Sequence, residues 1–306
     1  MAPDSRTTSS SEIRGTAPAR PTGSNSSSGP STTSHPSWNV GKSLAYIAIG
    51  LVATFCMIPF AWIILTSFDD DAGLYLQWPS FSLSNFARVF QDPTILRMVV
   101  NSLFITLTAT AIAVVLSLFG GYAFSRFRFF GRRTLLFGIL LVRVVPPLAT
   151  IVPLYMMMIT LGLNDSYAGI ILVETAYQLP LTLWLMKGFF DSIPAELEEA
   201  AWMDGCSRIS GAVWIIFPLS RPGIGACTLF AFIDIWGEFL IPLVLLQDPD
   251  LYPLSIGMFR AFSERNLVDW GLLTGMAVIY MVPTVILYLI ARRHLLKASM
   301  GGALKG

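Results

Sequence analysis

The amino-acid sequence predicts an all-α integral membrane protein with six transmembrane helices, and three observations support that prediction. Apolar residues make up 54% of the 306 residues and charged residues only 13%, which is about half the charged fraction of a typical soluble domain. Six stretches of the chain are long and apolar enough to cross a bilayer. Basic residues collect in some of the short connections between these stretches and are scarce in others.

Residues 1–41 are rich in Ser, Thr, Pro and Gly. They have little to bury, so we expect a disordered cytoplasmic tail. The first apolar run begins only at Leu44 and is too long for a signal peptide, so it is predicted to remain as a membrane span. The six-helix membrane domain is predicted over residues 42–291, followed by a cytoplasmic C-terminal tail over residues 292–306.

A helix needs ~20 mostly apolar residues to cross ~30 Å of hydrocarbon. Six stretches meet this requirement, near residues 44–67, 98–124, 134–160, 167–190, 222–246 and 270–291. Proline in spans three to six predicts kinks or broken turns, at Pro146, Pro147, Pro153, Pro180, Pro242 and Pro283.

The distribution of basic residues predicts the orientation in the membrane. The 125–133 connection contains four Arg and no acid, and the C-terminal residues 292–306 are also basic, whereas the 161–166 turn has no Lys or Arg. Basic connections stay in the cytoplasm. Both termini are therefore predicted to be cytoplasmic, which agrees with an even number of spans.

Several function classes are excluded by composition and motif. A formal net charge of +1 argues against nucleic acid as a partner. The three cysteines form no disulfide or zinc pattern and the two histidines are far apart, so no metal site is expected. The spans contain no Ser/His/Asp order, HExxH motif or Cys/His pair, so we expect no enzyme activity in this chain. Gly41, Lys42 and Ser43 resemble the end of a Walker loop, but Pro36 stands where that loop requires Gly.

Between spans four and five, residues 192–217, here called the EAA segment, are predicted to form two short cytoplasmic helices. Ser192 is a plausible N-cap and Pro194 suits a first helical turn. Gly205 is expected to end the first helix, and the second, about 207–217, to end at Pro218. Four residues of the first helix are spaced so that they share one face, and most of them are small. Such a face suits docking into a groove of another protein. The four are Leu197, Ala200, Ala201 and Asp204.

The same residues resemble a known signature. Glu199, Ala200 and Ala201 precede Gly205 by three intervening residues, and nine residues later the chain reads Ile-Ile-Phe-Pro at 215–218. This pattern resembles the EAA motif of ATP-binding-cassette (ABC) importer permeases, with Phe217 where the family has Leu. Other stretches look like those of carbohydrate-type, maltose-permease-like members: 143–147, 177–180, 188–190, 236–240 and 298–306. The resemblance covers about residues 44–306.

The resemblance implies one of two different permease subunits in the bacterial plasma membrane, each with a six-helix core. These would sit on two cytoplasmic ATPase subunits, which bind the ATP and Mg, and receive solute from an extracytoplasmic sugar-binding protein. It implies that Glu199 pairs with a basic residue of the ATPase and that Gly205 sits in the ATPase cleft. The residues implied in ATPase coupling are Glu199, Ala200, Ala201, Asp204, Gly205, Gly302 and Lys305.

Charged residues inside spans usually face the bundle interior. Glu174, Tyr177 and Gln178 share one helical face, and Asp234 and Glu238 share another. Hydrogen-bonding and aromatic groups suit a sugar, so six residues are candidates for a solute pathway: Glu174, Tyr177, Gln178, Asp234, Trp236 and Glu238. The alternative is that Arg143 pairs with these acids to fix helix packing. At the position of Glu174 an uncharged residue is commoner in the family.

A second function class stays open at this point. Acids inside the membrane also suit a secondary transporter driven by a proton or sodium gradient. A self-sufficient carrier has no need of the EAA pattern, which therefore favours the ATP-driven class. Which sugar or polyol is carried is not legible in the sequence.

Overall fold

The computed structural model describes residues 40–73, 75, 78–263 and 268–303, and within these residues the chain is helical, with no β-strand. The predicted disordered tail lies outside the described residues up to residue 39. The chain divides into two compact units, residues 1–53 and 54–306. The described part of the first unit is residues 40–53, the beginning of the first helix, Val40–Ser67. The rest of that helix and all later helices belong to the second unit.

The described residues contain thirteen α-helices, several of them shorter than a membrane span. They are α1 Val40–Ser67, α2 Ser84–Gln91, α3 Pro93–Arg126, α4 Arg132–Val142, α5 Pro147–Thr160, α6 Tyr167–Asp191, α7 Glu196–Met203, α8 Arg208–Gly211, α9 Phe217–Leu219, α10 Arg221–Gly237, α11 Leu240–Leu245, α12 Leu254–Ser263 and α13 Trp270–Ala303. A π-helical turn, Ala212–Ile216, joins α8 to α9, and a 3₁₀ turn, Pro249–Leu251, precedes α12.

Four of these helices are long and apolar enough to cross a membrane unbroken, and they match predicted spans one, two, four and six: Gly41–Ser67, Pro93–Arg126, Tyr167–Asp191 and Trp270–Arg292. Two further spans are possible if each of two bent helix pairs counts as one, α4 with α5 at 95° and Arg208–Leu219 with α10 at 73°. The all-helical class with four to six spans is therefore confirmed, whereas the six-span count and the cytoplasmic termini remain predictions.

The predicted third span is a broken one. The break lies at Pro146 and Pro147: Pro146 is extended at ψ 139° and Pro147 opens α5. A proline cannot donate a backbone hydrogen bond and disfavours helical geometry in the residue before it. By contrast, Pro153, Pro180 and Pro283 lie inside helices that continue past them.

The predicted fifth span, 222–246, is also divided, but not at its proline. Helix α10 ends at Gly237 and Glu238 is extended at ψ 130°. Pro242 lies within α11, which begins after the break. Broken helices inside a membrane protein are tolerated where the backbone faces protein or a polar cavity.

Helices α3 and α6 pack closely along the centre of the second unit. A Cβ added to Gly121 would lie 2.9 Å from Met186 Cβ and 3.0 Å from the Lys187 amide nitrogen, so the backbones approach more closely than an alanine would allow. Ser117 Oγ donates to Thr182 Oγ1 at 2.6 Å across the same interface. Small and hydroxylated residues at such contacts are typical of helix association in membranes.

Polar contacts fix both ends of this helix pair. At one end, Asn101 donates to the Asp250 carbonyl at 2.8 Å, and the Asp165 carboxylate accepts from the Gln247 amide at 2.8 Å. Nearby, Asp269 forms an ion pair with Arg88 that raises the pKa of this guanidinium. At the other end, Arg126, the last residue of α3 and part of the arginine-rich stretch 125–133, forms an ion pair with Glu198 of the EAA segment. The two features that were predicted to be cytoplasmic thus lie at the same end of the bundle.

Candidate functional site

The EAA segment folds as two short helical pieces around a tight turn. Helix α7 ends at Met203, and Gly205 follows with φ 88°. The Gly205 amide donates to the Trp202 carbonyl at 3.1 Å and the Cys206 amide to the Ala201 carbonyl at 3.0 Å. These two bonds form a Schellman motif, which places a left-handed residue directly after a helix. The predicted role of Gly205 as helix terminator is confirmed.

The start of the first helix differs from the prediction. Helix α7 begins at Glu196, with Ala195 before it, rather than after an N-cap at Ser192. Ser192 instead closes α6, where its hydroxyl donates to the Phe189 carbonyl at 2.7 Å. Ser192 ends α6 in a right-handed helical conformation and lies four residues before Glu196, so it does not occupy the N-cap position of α7.

The second helical piece also differs, because it does not end at Pro218. Ser207 caps α8 by accepting from the Ser210 amide at 3.1 Å, and the chain continues through the π-helical turn into α9. Pro218 lies directly after the π-helical turn, within the continuous helical run Arg208–Leu219. The bend follows at Ser220.

A buried ion pair anchors α7 to the end of α3. Glu198 is 2% exposed, and its two carboxylate oxygens accept from the Arg126 guanidinium and, at 2.9 Å, from the Tyr122 hydroxyl. Arg126 also donates to the Ile193 carbonyl at 2.9 Å. The EAA segment is therefore fixed by charged hydrogen bonds to α3, from which it is distant in sequence.

The sequence analysis did not find this anchor. Three glutamates crowd the first turn of α7, Glu196, Glu198 and Glu199, and only the EAA pattern distinguished one of them. A weak signal exists: Glu198 and Ala201 are spaced i, i+3 and are the two residues of α7 that are buried. Ala201, predicted on the docking face, is 4% exposed and packs inward, which corrects that prediction.

The opposite face of the EAA segment is open. Glu199, Ala200, Asp204 and Gly205 are exposed. Large apolar side chains surround them, at 87% exposure for Met203, 76% for Ile209 and 79% for Trp214. Exposed apolar residues next to polar ones are typical of a protein interaction surface. Gly302 lies within α13, and Lys305 lies outside the described residues.

A second candidate site lies inside the helix bundle. A cavity of about 290 Å³, here called the polar cavity, is lined by Arg143, Val145, Pro147, Glu174, Tyr177, Gln178, Asp234, Ile235, Glu238 and Ile241. Five of the six residues predicted for the solute pathway thus line one cavity, beside the breaks that follow α4 and α10. Trp236 is the exception: it stacks on Tyr280 and donates its indole N–H to the Tyr280 carbonyl at 3.0 Å.

Three ionisable side chains of the polar cavity have partners, whereas Glu174 Oε1 has none among the described residues. Arg143 forms an ion pair with Asp234 and donates to Gln178 Oε1 at 3.1 Å. Glu238 Oε1 accepts from three backbone amides at the start of α11, at 2.8 to 3.2 Å, as a carboxylate at a helix N-terminus is expected to do. Arg143 therefore pairs with an acid as the structural alternative predicted, yet the pair also lines the cavity.

Within the described residues no group of three or more His, Cys, Asp or Glu side chains could hold a metal ion. The candidate functional groups are therefore the hydrogen-bonding side chains of the polar cavity and the exposed face of the EAA segment. The described residues thus combine apolar helices of membrane-spanning length, a polar cavity and a separate exposed surface on the EAA segment.

The chain is a multi-pass permease subunit of the bacterial plasma membrane. It belongs to the family described as the binding-protein-dependent transport system inner membrane component, whose model matches residues 113–297. The members that it resembles are transport subunits of ABC importers rather than enzymes.

Individual relatives match over most of the chain. The sulfoquinovosyl glycerol transport system permease protein SmoH of Agrobacterium fabrum is 30% identical over 87% of this chain and 95% of its own length. The trehalose/maltose transport system permease protein MalG of Thermococcus litoralis is 31% identical over 86% of this chain and 96% of its own. A bacterial ABC transporter involved in alginate import has the same fold, with a TM-score of 0.74, 23% identity and coverage of 84% and 96%.

Proposed function

We propose that this chain is one of two permease subunits of an ATP-driven ABC importer that moves a sugar or polyol across the plasma membrane by alternating access. Its partners are a second permease subunit, two cytoplasmic ATPase subunits that bind ATP and Mg, and an extracytoplasmic binding protein. The chain itself contributes the membrane pathway and the surface that docks on the ATPase.

One observation supports this proposal most strongly, the two-sided construction of the EAA segment. Its inner face is fixed to α3 through Glu198 and Arg126, whereas Glu199, Asp204 and Gly205 are exposed on its outer face. A segment that is rigidly attached on one side and open on the other can transmit movement of a docked partner to the membrane helices. Glu199 would pair with a basic residue of the ATPase, and the tail that contains Gly302 and Lys305 would reach between the ATPase subunits.

The substrate class is supported by the relatives, which include permeases for trehalose/maltose and for diacetylchitobiose, and by the hydrogen-bonding groups of the polar cavity. The second candidate, a carrier driven by an ion gradient, is favoured by one observation, the acids Glu174 and Glu238 inside the bundle.

The two candidates are separated by uptake into proteoliposomes that contain the complete complex and the loaded binding protein. We expect uptake to require ATP on the side of the membrane that the ATPase subunits face. Uptake should persist when the proton and sodium gradients are collapsed. Glu199→Lys should uncouple ATP hydrolysis from uptake, whereas Glu196→Lys, an exposed position on the same helix, should have little effect. Gradient-driven uptake without ATP would establish the second candidate instead.

A further inference from the structure

The polar cavity contains one hydrogen-bond donor and one acceptor that no described residue satisfies. Glu174 and Gln178 lie one helical turn apart on α6, are each 3% exposed and both line the cavity. Glu174 Oε1 and Gln178 Nε2 have no hydrogen-bond partner among the described residues. Buried polar atoms are nearly always paired, so these two atoms are suited to bind a ligand group.

The orientation of the Gln178 amide is determined by its neighbour. Arg143 donates to Gln178 Oε1 at 3.1 Å, and because a guanidinium has only donors, the amide nitrogen cannot take that place. The Nε2 donor therefore points away from Arg143. A hydroxyl group both donates and accepts, so one hydroxyl, or two neighbouring ones, can satisfy the Glu174 acceptor and the Gln178 donor together.

The charges around the cavity indicate which solutes fit. Arg143 is the one basic side chain among the described lining residues, and Asp234 already pairs with it. The Glu238 carboxylate lines the same space and has no basic partner among the described lining residues, so an anionic solute would meet a like charge. The volume of about 290 Å³ lies just below the usual range of ligand pockets, about 300–1,000 Å³, and suits one sugar ring at a time.

We propose that Glu174 and Gln178 form a hydroxyl-binding subsite for an uncharged polyhydroxylated solute. A solute hydroxyl donates to Glu174 Oε1, and the same or the adjacent hydroxyl accepts from Gln178 Nε2. The proposal rests on the proposed function of the chain as a permease, and it adds a contribution of this subunit to solute selection.

A second cavity supplies the matched control. It has a volume of about 680 Å³, lies between α3, α10 and α13, and has an almost entirely apolar lining. Thr110 lines it, is also 3% exposed, and its Oγ1 also lacks a partner among the described residues. Thr110→Val therefore removes an unpaired buried hydroxyl from the same bundle without touching the polar cavity.

The experiment measures ATP-dependent uptake by the complete importer with its binding protein in proteoliposomes. The probes are three neutral sugars, maltose, trehalose and diacetylchitobiose, and one anionic sugar, a diuronate. We expect uptake of at least one neutral probe and none of the diuronate. Gln178→Met and Glu174→Met should each lower kcat/KM for the neutral probe by about fivefold to tenfold, and Glu174→Gln, which keeps an acceptor, should lose less than Glu174→Met. Thr110→Val should match the parent.

A deoxy series separates solute contact from a structural effect. Monodeoxy derivatives of the transported sugar are tested in the parent and in Gln178→Met. One derivative should be taken up poorly by the parent and should show no further loss in the variant, because the hydroxyl and its donor are then both absent.

Three results would overturn the subsite: uptake of the diuronate in preference to the neutral probes, uptake of no neutral probe, or Gln178→Met and Glu174→Met variants that assemble normally and transport like Thr110→Val. In the last case ATP-dependent uptake by the parent would still support the proposed function. Uptake driven by an ion gradient would contradict the proposed function whatever the variants do.

Discussion

Loss of the buried carboxylate that fixes the EAA segment should destabilise the protein strongly. Glu198→Ala removes the partner of Arg126, which is itself only 15% exposed, and leaves the buried Tyr122 hydroxyl without its acceptor. Removing one member of a buried ion pair costs about 3–5 kcal/mol. An unsatisfied buried hydroxyl alone costs about 1–3 kcal/mol, which places this variant toward the upper end of the ion-pair range. We expect a loss in the free energy of unfolding near the upper end, about 4 to 5 kcal/mol.

The assay is reversible unfolding of the purified chain in mixed micelles, with Glu199→Ala as the control. Glu199 is the next residue of α7 but is exposed, so its removal should change stability by less than about 0.5 kcal/mol. The double variant Arg126→Met, Glu198→Leu should lose about 2 kcal/mol less than the sum of its single variants, because no unpaired charge remains buried. Equal stability of the two alanine variants, or strict additivity in the double variant, would refute the anchor.

Three further predictions concern the backbone and the polar cavity. Gly205→Ala should cost about 1–2 kcal/mol in the same unfolding assay, because Gly205 has φ 88°. Gly121→Ala should cost about 1–3 kcal/mol, since the added Cβ would lie 2.9 Å from Met186 Cβ, whereas Gly188→Ala on the facing helix has nothing within 4 Å and should not lose stability. Arg143→Met should cost only about 1 kcal/mol, because the side chains of the Arg143–Asp234 pair are 35% and 42% exposed; a loss above about 3 kcal/mol would mean that this pair acts as a packing lock.

Long apolar segments and turn residues were predictable because the information is local. Helices α3 and α6 begin and end within a few residues of spans two and four, since apolar length alone determines them. Gly205 was predictable for a similar reason, because the left-handed turn after a helix favours glycine. In both cases the residues that determine the structure are the residues that adopt it.

The inward glutamate of α7 could not be predicted in this way. Glu196, Glu198 and Glu199 are equivalent as acids in a first helical turn, and Glu198 becomes the buried one because Arg126, 72 positions earlier in the chain, meets it there. The break after α10 is comparable. Pro242 seemed its natural cause, yet the helix stops at Glu238, whose carboxylate accepts the amides of the next helix. Long-range packing and side-chain caps determined both.

The anchor and the cavity are joined by α3 and α6, two closely packed helices. Arg126 and Ser117 are nine residues apart on α3, which is about 14 Å along the axis, and Ser117 donates to Thr182 on α6 at 2.6 Å. Thr182 lies one turn from Gln178 and donates to its carbonyl at 3.1 Å. Because the glycine contact at Gly121 prevents α3 and α6 from separating without loss of packing, a displacement of the EAA segment would be transmitted through α3 and α6 to Gln178. The proposed alternating-access movement, driven from the EAA segment, would therefore reach Gln178, at the place where the solute is proposed to bind.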